Sequence, residues 1–279
     1  MTTPAPSARS LFAAWAASSD PDQGLAEGAL LVAAEEYPQI SVAHYLQRLE
    51  LLADRVRDRA GEETAPLVIL QELNRVLFED EGFRGNSGAY YDPRNCLLND
   101  VLDRRLGIPI TLGIVYLEVG WKLGLPLQGI NFPGHFLVRY NGEAVRFLID
   151  CFDRGRIRFE DDALQVLDRG SAASVRLRPE YMTVAGRRDV LARLLANLKR
   201  LYTKSGDDAR ALAAVERLLV LRPDSPTEIR DRGLLLARIG REEEAGRDLE
   251  RYLDAMPHAP DAHHIRMMLR QLEVGEDQP

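Results

Sequence analysis

The chain has 279 residues, 46% of them hydrophobic and 28% charged, with a formal net charge of −7. That length exceeds what one hydrophobic core usually serves, so two domains are expected. The excess acid lies in residues 1–186, while residues 187–279 balance 17 cations against 17 carboxylates; neither part offers the basic field that a nucleic-acid binder needs.

Two cysteines, Cys96 and Cys151, form no C-x-x-C and no disulfide framework, which points to a reducing compartment, the cytoplasm. No apolar run reaches the ~18 residues of a spanning helix, so no membrane partner is expected. Residues 1–24 read as a flexible segment, a fraying first helix or a loose tail. Leu11–Ala17 is apolar but short, and one arginine, Arg9, precedes it, too little for a signal sequence.

From Leu25 to Arg59 the pattern is helical, broken at Tyr37-Pro38, with Val42, Tyr45, Leu46, Leu49, Leu52, Ala53 and Val56 recurring at three and four. Pro66 opens a short helix with Leu70, Leu73, Val76 and Leu77 on one face. A Gly/Asn/Tyr-rich loop follows, Gly82 to Pro93. Its GNSGA lacks the second glycine of a nucleophile elbow, so Ser87 reads as a loop serine. Asn95 is placed to cap a helix over Cys96–Arg105.

From Ile110 to Leu123 nearly every position is apolar, which requires a helix inside its domain. Pro109 suits its first turn and Gly124-Leu125-Pro126 its end. Thr111 therefore stands at the positive end of a buried helix dipole. Glu118 and Lys122 read as an i,i+4 pair.

Asn141-Gly142, between FLVRY and EAVRFLID, predicts a hairpin with a two-residue turn. In that register Tyr140 faces Glu143, Val138 faces Val145 and His135 faces Leu148. Phe136, Val138, Tyr140, Val145, Phe147 and Ile149 share the core face. His135 and Asp150 share the other, as diagonal neighbours within reach of a hydrogen bond.

Beyond Arg187 the chain is helical and self-similar at an offset of 34. Leu201/Leu235, Gly206/Gly240, Ala211/Ala245, Glu216/Glu250, Arg217/Arg251, Leu219/Leu253 and Pro223/Pro257 all match. That period is the tetratricopeptide one, and Pro260–Leu272 restarts it as a capping helix. His258, His263 and His264 cluster without a Cys or carboxylate at metal-site spacing, so no metal site is expected there.

The stretch YYDPRNCLLNDVLDRRLGIPITLGIVYLEVGWKLGLPLQGINFPGHFLVRY, with FLIDCFD after it, resembles the bacterial SirB-type family of transglutaminase-like proteins, which often carry tetratricopeptide repeats. The resemblance spans about Asn74 to Asp153. It implies an α+β layout: a papain/transglutaminase-like domain over 25–186, with a helical N-terminal part and an antiparallel sheet, then an all-α repeat over 187–279.

Active enzymes of that fold use a Cys-His-Asp triad. The resemblance puts histidine at His135, aspartate at Asp150 and the nucleophile position at Thr111. A helix dipole can turn a thiol into a thiolate near neutral pH, but an internal secondary alcohol stays protonated. Cys96 is a second candidate nucleophile, against its reading as a small buried hydrophobe; Cys151 should face the core. Two functions follow. One is a catalytically degenerate domain serving a scaffold or regulatory module, with a protein or peptide partner held by the repeat or the triad-like cleft. The other is a hydrolase or acyl-transferase acting on a peptide-like amide or ester through Thr111 or Cys96 with His135 and Asp150. Neither reading calls for a cofactor.

Overall fold

The structure, a computed structural model, describes residues 6–20, 23–159 and 179–276. The chain divides into two compact units, Met1–Leu194 and Leu195–Pro279. The boundary expected at 186/187 instead marks the start of a helix, Arg187–Ser205, whose first residues belong to the first unit.

Five helices open that unit or lie early in it. The first, α1 (Ala8–Ala17), is capped by Ser7, whose hydroxyl accepts from the Ser10 N–H. It falls within residues 1–24, of which residues 1–5, 21 and 22 lie outside the described residues. Phe12, Trp15 and Ala16 are buried, and the Trp15 indole donates to the Gly24 carbonyl at 3.0 Å. Pro38 bars the helical region to the residue before it, so α2 (Leu25–Glu36) stops at Tyr37 and α3 (Val42–Ala60) restarts after it. Pro66 sits in the first turn of α4 (Pro66–Asn74), which widens into a π-helical turn, Arg75–Asp80. Next, Asn95 does not cap the helix expected over Cys96–Arg105. It closes a 3₁₀ turn, Pro93–Asn95, and the helix α5 begins at Leu98 and runs to Arg104.

The central element is α6 (Pro109–Lys122), buried from Pro109 to Gly120 as its all-round apolar sequence requires. Its polar residues Glu118 and Lys122 engage separate partners rather than forming the expected i,i+4 pair. Lys122 pairs with Glu50 at 2.7 Å, and Glu118 accepts the Ala26 N–H at 2.9 Å. Glu118 thereby caps α2 from across the core, where the α2 N-cap, Gly24, has no side chain to do so. Burial raises the Glu118 carboxyl above its ordinary value, opposed by the Ala26 and Leu25 N–H groups. Glu118→Ala is expected to cost about 1–2 kcal/mol in thermal or denaturant unfolding. Because the folded pKa is raised, the carboxyl's stabilisation is complete below its ordinary value and fades as pH rises through the folded one. Glu118→Gln, which does not titrate, should therefore lose less stability than the parent on going from acid to neutral pH.

A four-stranded antiparallel sheet packs on α6, in the order β3 (Leu127–Ile130), β4 (Leu137–Asn141), β5 (Arg146–Asp150), β6 (Arg156–Arg158), and a two-residue parallel pair, β1 (Arg84–Gly85) with β2 (Leu106–Gly107), lies apart from it. The β4–β5 register differs from the two-residue expectation. Asn141 pairs with Arg146, Tyr140 with Phe147 and Val138 with Ile149, which leaves a four-residue loop, Gly142 to Val145. Both faces are buried: Ile130, Phe132, Leu137 and Leu148 form a second small core, covered by Tyr181 and Met182. On the α6 side, a Cβ at Gly113 would stand 2.5 Å from the Phe136 ring, so glycine is what lets helix and sheet approach.

The second unit continues α7 (Arg187–Ser205) into α8 (Asp208–Leu221), α9 (Pro226–Arg238), α10 (Glu242–Ala255) and α11 (Ala262–Glu276). Both bounds of α8 recur in α10 at the 34-residue offset, and Gly206 and Gly240 take the same left-handed turn, with φ of 75° and 78°. Ala211 and Ala245 are both fully buried. Replacing Ala245 by Leu should overpack this crossing, at a cost of about 1–3 kcal/mol in unfolding experiments.

Candidate functional site

Gly134, with a φ of 68°, turns the chain so that His135 closes a turn onto the Phe132 carbonyl just before β4. The imidazole Nε2 lies 2.8 Å from Asp150 Oδ1, as the shared sheet face predicts. With Nε2 engaged, Nδ1 is the ring's remaining position for an incoming group. Asp150 is buried and does more than orient the ring. Its Oδ1 also accepts from the Phe152 and Asp153 N–H groups, at 3.2 and 3.3 Å, and its Oδ2 meets the buried Arg158 guanidinium at 3.4 Å. Burial pushes its carboxyl upward. The His135 hydrogen bond and the electrostatic pull of His135 and Arg158 outweigh that, and the net shift is downward.

Thr111 lies in the first turn of α6, as expected, with its side chain fully buried. Its hydroxyl accepts from the Ile108 N–H at 3.1 Å and is 2.7 Å from the Asn95 carbonyl, its best acceptor, with the Ile108 carbonyl at 3.1 Å. All of these partners are main chain. Asn95 carries the connection onward: its side-chain amide donates to the Ala89 and Tyr90 carbonyls and accepts from Asn86. Thr111 thus anchors the 86–95 loop to the helix tip.

Both cysteines are buried. Cys96 is buried directly after the 3₁₀ turn, two residues short of the helix it was expected to open. Cys151 is buried too, and burial, with the Asp150 charge beside it, raises its thiol well above the ordinary value. Ser87 is an exposed loop residue, and His258, His263 and His264 lie exposed. Among the described residues no group of three or more His, Cys, Asp or Glu is placed to hold a metal ion.

Four residues around the pair escaped the sequence reading. Arg158 ends β6 after a tight Asp-Arg-Gly turn, and a cation in a short strand gives no sign that it will be buried. Arg193 donates to the His135 carbonyl at 2.7 Å from α7. Phe152 meets the His135 ring edge to face at 6.1 Å, and Tyr90 meets Phe152 likewise at 6.0 Å, so an aromatic wall borders the imidazole.

The comparisons with known proteins agree with this layout. The pattern of the transglutaminase-like superfamily matches residues 43–196, and that of the tetratricopeptide repeat matches residues 198–270. A UPF0162 protein of Xylella fastidiosa is 36% identical over 85% of this chain and 86% of its own length. The UPF0162 protein YchA of Escherichia coli K12 is 30% identical over 89% and 92%, and a UPF0162 protein of Vibrio cholerae is 30% identical over 85% of each chain. No solved structure matches significantly.

Proposed function

The chain belongs to the transglutaminase-like superfamily and carries a tetratricopeptide repeat behind that domain, and from this premise we propose that it is a catalytically degenerate member serving as a protein-interaction module. The observation that carries the reading is the Thr111 hydroxyl. Its proton is directed to main-chain carbonyls and its lone pair receives the Ile108 N–H, so the position that bears a thiolate in active enzymes of this fold serves here as a structural tie. His135 and Asp150 keep the geometry of a base and its orienter, with an alcohol rather than a thiolate at position 111. The repeat supplies the surface for a protein or peptide partner. A cytoplasmic location accords with two buried cysteines that form no C-x-x-C, and no described helix is long and apolar enough to cross a membrane.

A fluorophosphonate or activated-ester probe tests the reading. Intact-mass measurement should find no covalent adduct on the folded protein. An adduct on Thr111 or Cys96 that His135→Ala abolishes would instead establish the hydrolase or acyl-transferase reading, which the 2.8 Å His135–Asp150 contact favours.

A further inference from the structure

The apolar face of α11, the last described helix, is less fully buried over residues 262–272 than that of α9. α9 packs between α8 and α10, and Ile229, Gly233, Leu235 and Leu236 are all buried. α11 packs on α10. Ala262 and Ile265 near its start are buried, whereas Leu269 and Leu272, further along the same face, are half-buried. These two leucines and Gly246 of α10 line a groove of about 310 Å³. A Cβ on Gly246 would meet nothing within 4 Å, so open space lies against the α10 backbone there. The rim is acidic. Glu242, Glu243, Glu250 and Arg247 line it, all exposed, and Arg247 is already paired with Glu243.

We propose that this groove docks an amphipathic helix of a partner protein whose polar flank is basic. The inference rests on the interaction role assigned above and adds where on the repeat the contact lies and what chemistry it selects. A cleft between two helices, floored by two leucines a turn apart, matches the i, i+3 or i+4 anchors of a third helix. In the repeat itself, the helix that follows α9 covers its apolar face; α11 presents a comparable face to whatever docks there. Glu242 and Glu250, in no ion pair among the described residues, attract lysine or arginine on the incoming helix and repel anionic lipid and nucleic acid.

The test uses the whole chain and two fluorescein-labelled synthetic peptides with the same leucine pattern at helical spacing, one with lysine and the other with glutamate at every polar position. Fluorescence anisotropy at low salt should show binding of the lysine peptide and about tenfold or weaker binding of the glutamate peptide. Leu269→Asp, and separately Glu242→Lys with Glu250→Lys, should each reduce lysine-peptide binding about tenfold or more. Leu51→Asp, an exposed leucine on α3, should leave it unchanged. Should Leu269→Asp unfold the repeat, the surface lysine pair still decides the matter. Equal binding of both peptides, or binding indifferent to the groove variants, overturns the proposal. Binding that survives those variants but falls with Arg200→Glu, in a separate groove beside α9, overturns this placement and leaves the interaction role standing. A dimer in sedimentation that Leu269→Asp dissociates would overturn it in favour of a second copy of the chain.

Discussion

Asp150→Ala is expected to destabilise the first unit by about 3–5 kcal/mol, because it breaks a buried ion pair and removes the acceptor of several buried hydrogen bonds. Arg158, with a side chain 5% exposed, as is that of Asp150 itself, would keep only the exposed Asp153 carboxylate, at 3.1 Å. The same change frees His135 Nε2 and uncaps the turn at Phe152 and Asp153. Asp150→Asn retains an oxygen for the two N–H groups and should cost less. The pH dependence separates the two further. Since the net shift of the Asp150 carboxyl is downward, its stabilisation is present above the ordinary aspartate value and is lost as pH falls through the folded one. Acid denaturation followed by circular dichroism should therefore show a smaller acid loss in Asp150→Asn than in the parent.

Phe136→Ala is expected to cost a similar amount, about 3–5 kcal/mol, through the cavity it leaves between sheet and helix. Phe136 is 1% exposed and fills the space that Gly113 of α6 and Gly129 of β3 leave open. Chemical denaturation gives the value directly. Phe136→Leu, which refills part of the volume, should recover a substantial share of the loss, whereas Gly113→Leu in the parent should be destabilising because the ring already occupies the space.

The helices were legible because their apolar positions recur at three and four or, in α6, occupy nearly every position, and the repeat because α8 and α10 obey one 34-residue period. Helix α1 was less so: its buried Phe12 and Trp15 sit in too short an apolar run to distinguish a docked helix from a loose end. The hairpin shows the limit of local turn chemistry. Asn141-Gly142 favours a two-residue turn, but the observed register pairs Tyr140 with Phe147, whose rings stack at 5.0 Å, and Val138 with Ile149. Those cross-strand contacts exceed what one favourable turn contributes. The register moved by an even number of residues, which keeps every side chain on its face. His135 and Asp150 thus stayed on one face and within reach, though across the other diagonal from the one expected. Burial of Arg158, the Glu118 cap on α2 and the Asn95 contacts are tertiary, set by partners distant along the chain, and left no local mark.

Thr111→Cys addresses the central claim most directly, because it places a thiol where active enzymes of this fold carry one. Iodoacetamide alkylation at pH 6–7, mapped by peptide mass spectrometry on the folded variant, compares residue 111 with Cys96 and Cys151 as internal references. If position 111 is a buried tie between α6 and the Asn95 carbonyl, its thiol should be modified no faster than free cysteine and should be indifferent to His135→Ala. Alkylation far faster than free cysteine, and lost on His135→Ala, would show that residue 111 faces the His135–Asp150 pair and would contradict the reading of position 111 as a buried structural tie.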